Sequence, residues 1–206
     1  MANRLSTNNL YPPTQDICSI DNFIERRSSV FFILGGTKML LHEFYDTLYP
    51  NTGFTSIRKT TRAIVLNEHN EVGMMHVKGN DIFGPRDHYE TPGGGVEGSE
   101  TLVEAIKREV LEEVGYECEV ESYLGSVINR YNLLEVITMH HFFVVRTTKK
   151  ASIAWTDAEK EWFDGVVWKT PEAWREILNE PREMVNELVH DRERFIIDYY
   201  LNQLNR

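Results

Sequence analysis

Residues 90–117 read ETPGGGVEGSETLVEAIKREVLEEVGYE, and this stretch decides how the rest of the chain is interpreted. Three consecutive glycines stand before a segment with helical character, and three glutamates, Glu109, Glu112 and Glu113, follow within it. Like charges three or four residues apart destabilise an isolated helix. The spacing of these glutamates therefore needs a physical explanation.

The pattern predicts a helix over residues 99–114, with Ser99 as its N-cap and Gly115 as its C-terminal stop. On a wheel of about 100° per residue, the three glutamates share one arc of the helix surface. Glu113 falls at the edge of the apolar face and Glu109 borders it. That face carries Leu102, Val103, Ile106, Val110 and Val114.

Two explanations of the glutamates stay open at this point. Carboxylate clusters on helices are commonly solvated faces, but a solvated face would point away from the core. Carboxylates that border the core repel one another more strongly because they are partly desolvated. A divalent cation among them removes that repulsion, and hard oxygen ligands suit Mg²⁺ or Mn²⁺. The glycines would let the backbone approach the same place.

The spacing of residues 94–116 resembles the Nudix box of MutT-like hydrolases, Gly-x5-Glu-x7-Arg-Glu-U-x-Glu-Glu-x-Gly-U, where U is a bulky aliphatic residue. Val110 satisfies the first U position, and Tyr116 departs from the pattern at the last one. All seven fixed positions match: Gly94, Glu100, Arg108, Glu109, Glu112, Glu113 and Gly115. A weaker resemblance in strand order extends over about residues 55–178.

The resemblance implies a fold and a reaction. The fold expected is α+β, a Nudix-type α/β/α sandwich with a mixed β-sheet. The reaction expected is metal-dependent hydrolysis of the pyrophosphate bond in a nucleoside diphosphate linked to another moiety, with water attacking phosphorus. The cofactor expected is Mg²⁺ or Mn²⁺. The alternative is a non-catalytic Nudix-type module that senses a nucleotide or another ligand.

The resemblance also implies roles for residues of the box. Glu109 and Glu113 are expected to bind the metal ion, and Glu112 to act as a further ligand or as the base. The backbone at Gly94, or at the glycine before it, is expected to add a carbonyl ligand. Arg108 is expected to orient a box glutamate and Glu100 to complete the salt bridges of the box. The alternative for Arg108 is a helix ion pair with glutamates four residues away on either side.

Other candidate site residues lie outside the box. The family sometimes places its base in a loop near the late strand, where Glu159 and Glu161 are the candidates, with solvated loop residues as the alternative. Arg86, His88 and Tyr131 are candidates for substrate binding, and an ordinary loop or core position is the alternative for each. His140 and His141 face opposite sides of an apolar strand, and packing is the favoured role for both.

The order of predicted elements supports an α+β fold. Residues 58–82 form a predicted hairpin, and residues 79–95 a predicted loop. Three further strands, a helix with Thr170 as its cap and Pro171 in its first turn, and a C-terminal helical segment follow. The strands are predicted over residues 118–131, 133–148 and 161–170, and the C-terminal segment over residues 181–204.

Composition bounds the partners of the chain. The formal net charge of -10 disfavours binding to nucleic acid, whose phosphates attract clustered Lys and Arg. The chain has no run of 18 apolar residues, so no membrane span is predicted. Cys18 and Cys118 show neither zinc nor redox spacing. Two free thiols in a cytoplasmic protein are expected, and a disulfide between them is the alternative. The expected partner is a small-molecule nucleoside diphosphate derivative, and a homodimer is left open.

The chain divides into an N-terminal extension, residues 1–38, and a Nudix domain with C-terminal helices, residues 39–206. The status of the extension is open between two hypotheses. The codons for residues 34–39 could contain a ribosome-binding site, in which case synthesis would start at Met39. The alternative is an added strand or a dimerising arm.

Overall fold

The computed structural model describes residues 39–205, and the predictions for residues 1–38 and Cys18 lie outside this range. The described strands and helices follow one another in this order: β1 Leu40–Tyr45, β2 Ser56–Leu66, β3 Val72–Asp81, β4 Gly84–Glu90, α1 Leu102–Glu109, a π-helical turn Val110–Val114, β5 Tyr116–Tyr131, β6 Val136–Lys150, α2 Asp157–Trp162, β7 Phe163–Lys169, α3 Pro171–Leu178 and α4 Val185–Leu204. Within residues 39–205, no helix is long and apolar enough to cross a membrane.

The strands form a mixed sheet in the order β1-β5-β6-β2-β3-β4, with β7 paired to β3. β1 runs parallel to β5 and β2 parallel to β6, whereas the remaining pairs are antiparallel. β2 and β3 pair only beside their turn, at Val65 with Gly73 and Leu66 with Val72. β3 then continues between β4 and β7, so a cleft can open between it and β2.

Alternating side chains of the central strands form two hydrophobic cores, one on each face of the sheet. Ala63 and Val65 of β2 face α1, where they pack with Ile106 and other buried residues of the helix. Ile64 of β2 faces the opposite side and packs with residues of α3 and α4, among them Trp174. Helices on both faces of a mixed sheet confirm the predicted α+β sandwich.

Helix α1 begins two residues later than predicted from Ser99. Thr101 is the N-cap: its side chain accepts from the Glu104 N–H, and the Glu104 carboxylate accepts from the Thr101 N–H at 2.8 Å. This reciprocal capping box satisfies two free helix donors. The predicted stop is confirmed, because Gly115 adopts a left-handed φ of 76° at the C-terminus.

The predicted loop over residues 79–95 was wrong in part, because β3 extends to Asp81 and β4 occupies Gly84–Glu90. Arg86, His88 and Glu90 alternate along β4 and face a cleft rather than a hydrophobic core. Polar residues on the inward face hide the alternation by which a strand is recognised. The candidates Glu159 and Glu161 also lie in a short helix, α2, rather than in a loop.

Candidate active site

The glycine-rich loop lies against strand β2 because its backbone pairs with it. The Thr61 N–H donates to the Gly94 carbonyl at 2.9 Å, and the Ala63 N–H donates to the Pro92 carbonyl at 3.0 Å. A Cβ at Gly93 would lie 2.1 Å from the Thr61 carbonyl oxygen, and one at Gly94 would lie 2.6 Å from Oε1 of Glu109. Neither glycine can carry a side chain without displacing its neighbours.

The glutamates of the box lie where the wheel predicts. Glu109 and Glu113 are buried, with 6% and 5% of their surface exposed, whereas the Glu112 side chain is 42% exposed. The π-helical turn contributes to this arrangement. It has more residues per turn than an α-helix, so Glu109 and Glu113 come closer to the same side of the helix. Both carboxylates therefore border the core.

The electrostatics of Glu113 and Glu109 differ from those of surface carboxylates. Burial raises the pKa of Glu113 well above its usual value, and the neighbouring Glu109 raises it further. Burial also raises the pKa of Glu109, although contact with Arg108 opposes the shift. Oε2 of Glu113 accepts from the Gly93 N–H at 2.8 Å. Two adjacent carboxylates are thus buried, and Arg108 offsets only part of the penalty at Glu109.

Arg108 connects three of the glutamates. It donates to both oxygens of Glu100, to Oε1 of Glu109 at 2.9 Å and to Oε2 of Glu112 at 3.1 Å, and also to the Gly95 carbonyl. The bonds to Glu100, followed by the charge of Glu109, raise the pKa of Arg108. The ion pair with Glu112 expected from helical spacing forms, whereas Glu104 is engaged by the helix cap instead.

The donor set fits a hard divalent cation. Across residues 39–205, no three His, Cys, Asp or Glu side chains converge closely enough to hold a metal ion as they stand. Glu109 and Glu113 nevertheless supply buried, mutually repelling oxygens, and the Gly94 carbonyl keeps one lone pair beyond its bond to Thr61. A cation at this position would offset the repulsion that burial imposes.

A cleft of about 440 Å³ opens beside Gly93 and Gly94, between the two parts of the sheet and helix α4. Its walls include five residues predicted for the site: Arg86, His88, Gly94, Tyr131 and Glu159. The box carboxylates and Arg108 stand behind the glycine loop instead of lining the cleft. Glu161 is exposed and also outside the cleft wall.

Each candidate for substrate binding already has a protein partner. Arg86 pairs with Asp81 at 2.8 Å and lies over the Phe83 ring. The Tyr131 hydroxyl accepts from Arg192 at 3.2 Å. Nδ1 of His88 lies 2.9 Å from Oδ1 of Asn186.

Glu159 has a structural role as well as a place in the cleft wall. Its carboxylate accepts from the Thr156 N–H at 2.7 Å, and the Thr156 hydroxyl accepts from the Glu159 N–H, which together cap α2. This capping box explains a glutamate at this position without any catalytic role.

Sequence reasoning missed the buried charges at the inner end of the cleft. Glu90 lies between Arg62 and Arg192, and its Oε2 is 3.1 Å from each guanidinium. Burial raises the pKa of Glu90, but the two arginines outweigh it and lower the pKa to about 2. Arg192 is 1% exposed and also pairs with Glu193. Arg192 belongs to a C-terminal helix beyond the box. In the sequence, an Arg-Glu pair in such a helix is typical of a solvent-exposed helical turn.

The predicted opposite orientation of His140 and His141 is confirmed. His140 is buried, with Nδ1 2.8 Å from the Thr60 hydroxyl, and it also contributes to the cleft wall. Burial lowers its pKa well below the usual value. His141 is half-buried on the other face, with Nδ1 2.9 Å from the Tyr123 hydroxyl.

Comparisons with known proteins agree with this architecture. A family model described as the NUDIX domain matches residues 57–188, more than half of the chain. Comparison with curated proteins gave no match. A NUDIX hydrolase from Nitrosomonas europaea superimposes with a TM-score of 0.54 at 18% identity, over 71% of this chain and 89% of that one. A MutT NUDIX hydrolase from Burkholderia pseudomallei gives 0.48 at 14% identity, over 66% and 96%.

Proposed function

The chain belongs to the Nudix family of pyrophosphohydrolases, and on that premise we propose that it hydrolyses a nucleoside diphosphate linked to another moiety with the help of Mg²⁺ or Mn²⁺. The observation that carries the proposal is the buried Glu109–Glu113 pair beside a glycine loop, at the edge of a cleft large enough for part of a nucleotide.

Glu109, Glu113, Glu112 and the Gly94 carbonyl are the proposed metal ligands. When bound, the ion would neutralise the diphosphate, polarise a phosphoryl oxygen and lower the pKa of water. Arg108 fixes Glu109 and Glu112 by donating to one oxygen of each, which leaves their other oxygens available. The Gly93 N–H fixes Glu113 in the same way.

In the proposed reaction, water attacks phosphorus and a carboxylate takes its proton. A new phosphorus–oxygen bond forms, and the bond from that phosphorus to the bridging oxygen breaks. The products are a nucleoside monophosphate and the phosphorylated moiety. Glu112 and Glu159 are the candidates for the base. Glu159 is favoured over Glu161 because only Glu159 belongs to the cleft wall.

The substrate is proposed to occupy the cleft lined by Arg86, His88 and Tyr131. Arg58 also lines the cleft and forms no ion pair with any residue from 39 to 205, so it can approach a phosphate. Tyr131 and the nearby Trp162 offer aromatic surface for a base or a sugar.

The proposal is tested by incubating the full-length chain with a panel of nucleoside diphosphate derivatives and Mg²⁺ or Mn²⁺, and measuring release of the monophosphate. We expect turnover of at least one compound and its loss in Glu113→Gln. The exposed Glu119→Gln variant is the matched control and should retain the wild-type rate. Tight binding of one compound without turnover would support the sensing module instead.

Cytoplasmic location and a homodimer are further proposals. The buried Cys118 thiol, whose pKa burial raises to about 11, is consistent with a reduced protein. Light scattering of the purified chain measures the oligomeric state, and fractionation of the native cells measures the location.

A further inference from the structure

Strand β4 supplies one wall of the cleft with three polar side chains on alternate positions, Arg86, His88 and Glu90. Alternate residues of a strand are about 7 Å apart, so this wall offers a row of well-separated polar groups. Asp81 neutralises Arg86. His88 and Glu90 therefore determine what the inner part of the wall can bind.

The hydrogen bonds of Asn186 fix the protonation of the His88 ring. Oδ1 of Asn186 accepts from the Asp87 N–H at 3.2 Å, and its Nδ2 donates to the Pro85 carbonyl at 3.0 Å. These two bonds determine the orientation of the amide. Because Oδ1 can only accept, Nδ1 of His88, 2.9 Å away, must carry the proton. The other nitrogen, Nε2, is then an acceptor in the neutral ring.

Nε2 of His88 is the ring atom that a ligand can reach. It has no hydrogen-bond partner among residues 39–205, and it is not one of the unpaired atoms there that are sealed from solvent. His88 itself is 3% exposed and lines the cleft. Burial lowers the pKa of His88 more than the nearby Glu90 raises it, so the ring is neutral near pH 7.

Glu90 provides a second acceptor on the same wall. Its Oε2 forms ion pairs with both Arg62 and Arg192, whereas its Oε1 has no partner within the described residues. With a pKa near 2 the carboxylate is ionised and can only accept hydrogen bonds. An ionised carboxylate repels a phosphate, so a group that carries hydrogen-bond donors suits this position better than the diphosphate does.

We propose that Nε2 of His88 and the Glu90 carboxylate bind a neutral group of the substrate that carries several hydrogen-bond donors, the hydroxyls of a sugar or the N–H groups of a base. The inference rests on the proposed hydrolysis for its choice of substrate, since it assigns the part of the molecule beyond the diphosphate. A substrate whose corresponding part is apolar or anionic leaves both acceptors unpaired and is rejected.

Two substitutions of His88 distinguish the role of Nε2 as an acceptor from the role of Nδ1 in the hydrogen bond to Asn186. In His88→Asn the amide N–H can replace Nδ1–H and keep the contact with Asn186, but nothing replaces Nε2. In His88→Gln the amide oxygen can reach the position of Nε2, while the bond to Asn186 is lost. His141→Asn is the matched control because His141 lies outside the cleft wall.

The variants are compared on ADP-ribose and UDP-glucose with Mg²⁺ or Mn²⁺. We expect His88→Asn to lose at least about tenfold in kcat/KM on the better substrate, which corresponds to about 1.4 kcal/mol. We expect His88→Gln to lose clearly less than His88→Asn, because its amide oxygen replaces the acceptor, and His141→Asn to stay within about threefold of the wild type. Equal losses in the Asn and Gln variants, or no loss in either, would overturn the inference while leaving hydrolysis established.

Substrate analogues identify the donor. Each of three analogues of ADP-ribose removes the donors of one part of the molecule. The first has a methyl group in place of the linked ribose. The second lacks both hydroxyls of the nucleoside ribose, and the third has purine in place of adenine. The loss of kcat/KM caused by His88→Asn should disappear with the analogue that lacks the donor bound by Nε2. A loss that persists with all three analogues contradicts the assignment.

If the wild type binds these compounds without turnover, the variants are compared by their binding affinities, measured by calorimetry, in place of kcat/KM. In that case the proposed hydrolysis is wrong, but the affinities still test the role of His88. A wild type that binds neither ADP-ribose nor UDP-glucose would overturn the inference.

Discussion

The Gly93 N–H donates to the buried Glu113 carboxylate across 2.8 Å, and this bond joins the glycine loop to the glutamate helix. The same loop is paired with β2, so the position of Glu113 is set by the sheet as well as by its own helix. Three glycines in a row and a crowded set of glutamates are therefore parts of one arrangement.

Gly93→Ala should disrupt this arrangement. The new Cβ would lie 2.1 Å from the Thr61 carbonyl oxygen, and Gly93 has a φ of 141° that alanine adopts only with strain. We expect a loss of about 2 kcal/mol or more in the free energy of unfolding, measured with urea, together with most of the activity. Gly95→Ala is the control, because the nearest atom to its Cβ is 3.7 Å away. Equal stability of the two variants would contradict the prediction.

Arg108→Lys should lower activity although the charge is kept. The planar guanidinium donates to Glu100, Glu109, Glu112 and the Gly95 carbonyl at once, which an ammonium group cannot do. We expect kcat to fall at least about tenfold, since small displacements of catalytic groups are costly. Lys107→Arg on the same helix is the control, and a wild-type kcat in Arg108→Lys would show that Arg108 does not position the glutamates.

Glu159→Gln tests the choice of base outside the box. Glutamine keeps an oxygen that can accept from the Thr156 N–H, so the cap of α2 should survive. If Glu159 is the base, kcat falls about 100-fold or more and the rise of kcat on the acidic limb of its pH profile disappears. Glu161→Gln, in the same helix but outside the cleft wall, should behave as the wild type. A Glu159→Gln rate within a few-fold of wild type assigns the base role to Glu112.

His190 should make the protein less stable in mild acid. It is fully buried, and Nε2 accepts from the Tyr89 N–H, whereas Nδ1 has no partner among residues 39–205. Burial, followed by the charge of Arg182, lowers its pKa to about 3. Below about pH 6.5, His190 binds a proton in the unfolded chain but not in the folded chain. The free energy of unfolding therefore falls as the pH is lowered toward 3.

The measurement is urea unfolding of the wild type and His190→Gln at several pH values in the presence of a chelator. The glutamine oxygen can still accept from the Tyr89 N–H but cannot be protonated. We expect the stability advantage of the wild type to shrink by up to about 1.4 kcal/mol for each pH unit below 6.5. An advantage that is independent of pH in this window would refute the prediction.

The parts of the molecule that sequence alone could predict are those governed by local rules. The β2–β3 hairpin, the stop at Gly115 and the Thr170 cap each depend on a few neighbouring residues, and each is confirmed. The burial of Glu113 followed from the spacing of one helix. The start of α1 was misplaced by two residues because Ser99 and Thr101 are both good caps, and only Glu104 completes the box with Thr101.

The inner wall of the cleft could not be predicted for a physical reason. Glu90 and Arg192 meet across 102 positions, and the contact depends on how α4 packs over β4. Strand β4 was also hidden because its inward side chains are polar. Nothing local to either residue distinguishes a buried ion pair from a solvated one. The tautomer of His88 likewise depends on Asn186, a residue 98 positions away.

The central claim is that Glu109 and Glu113 hold a divalent cation, and Mn²⁺ binding measured by electron paramagnetic resonance tests it most directly. Glu113→Gln keeps an acceptor for the Gly93 N–H but removes the charge, and Glu109→Gln is its counterpart. We predict that the wild type and Glu119→Gln bind Mn²⁺ equally, and that each box variant weakens binding at least about tenfold. Unchanged Mn²⁺ affinity in both box variants would contradict the claim.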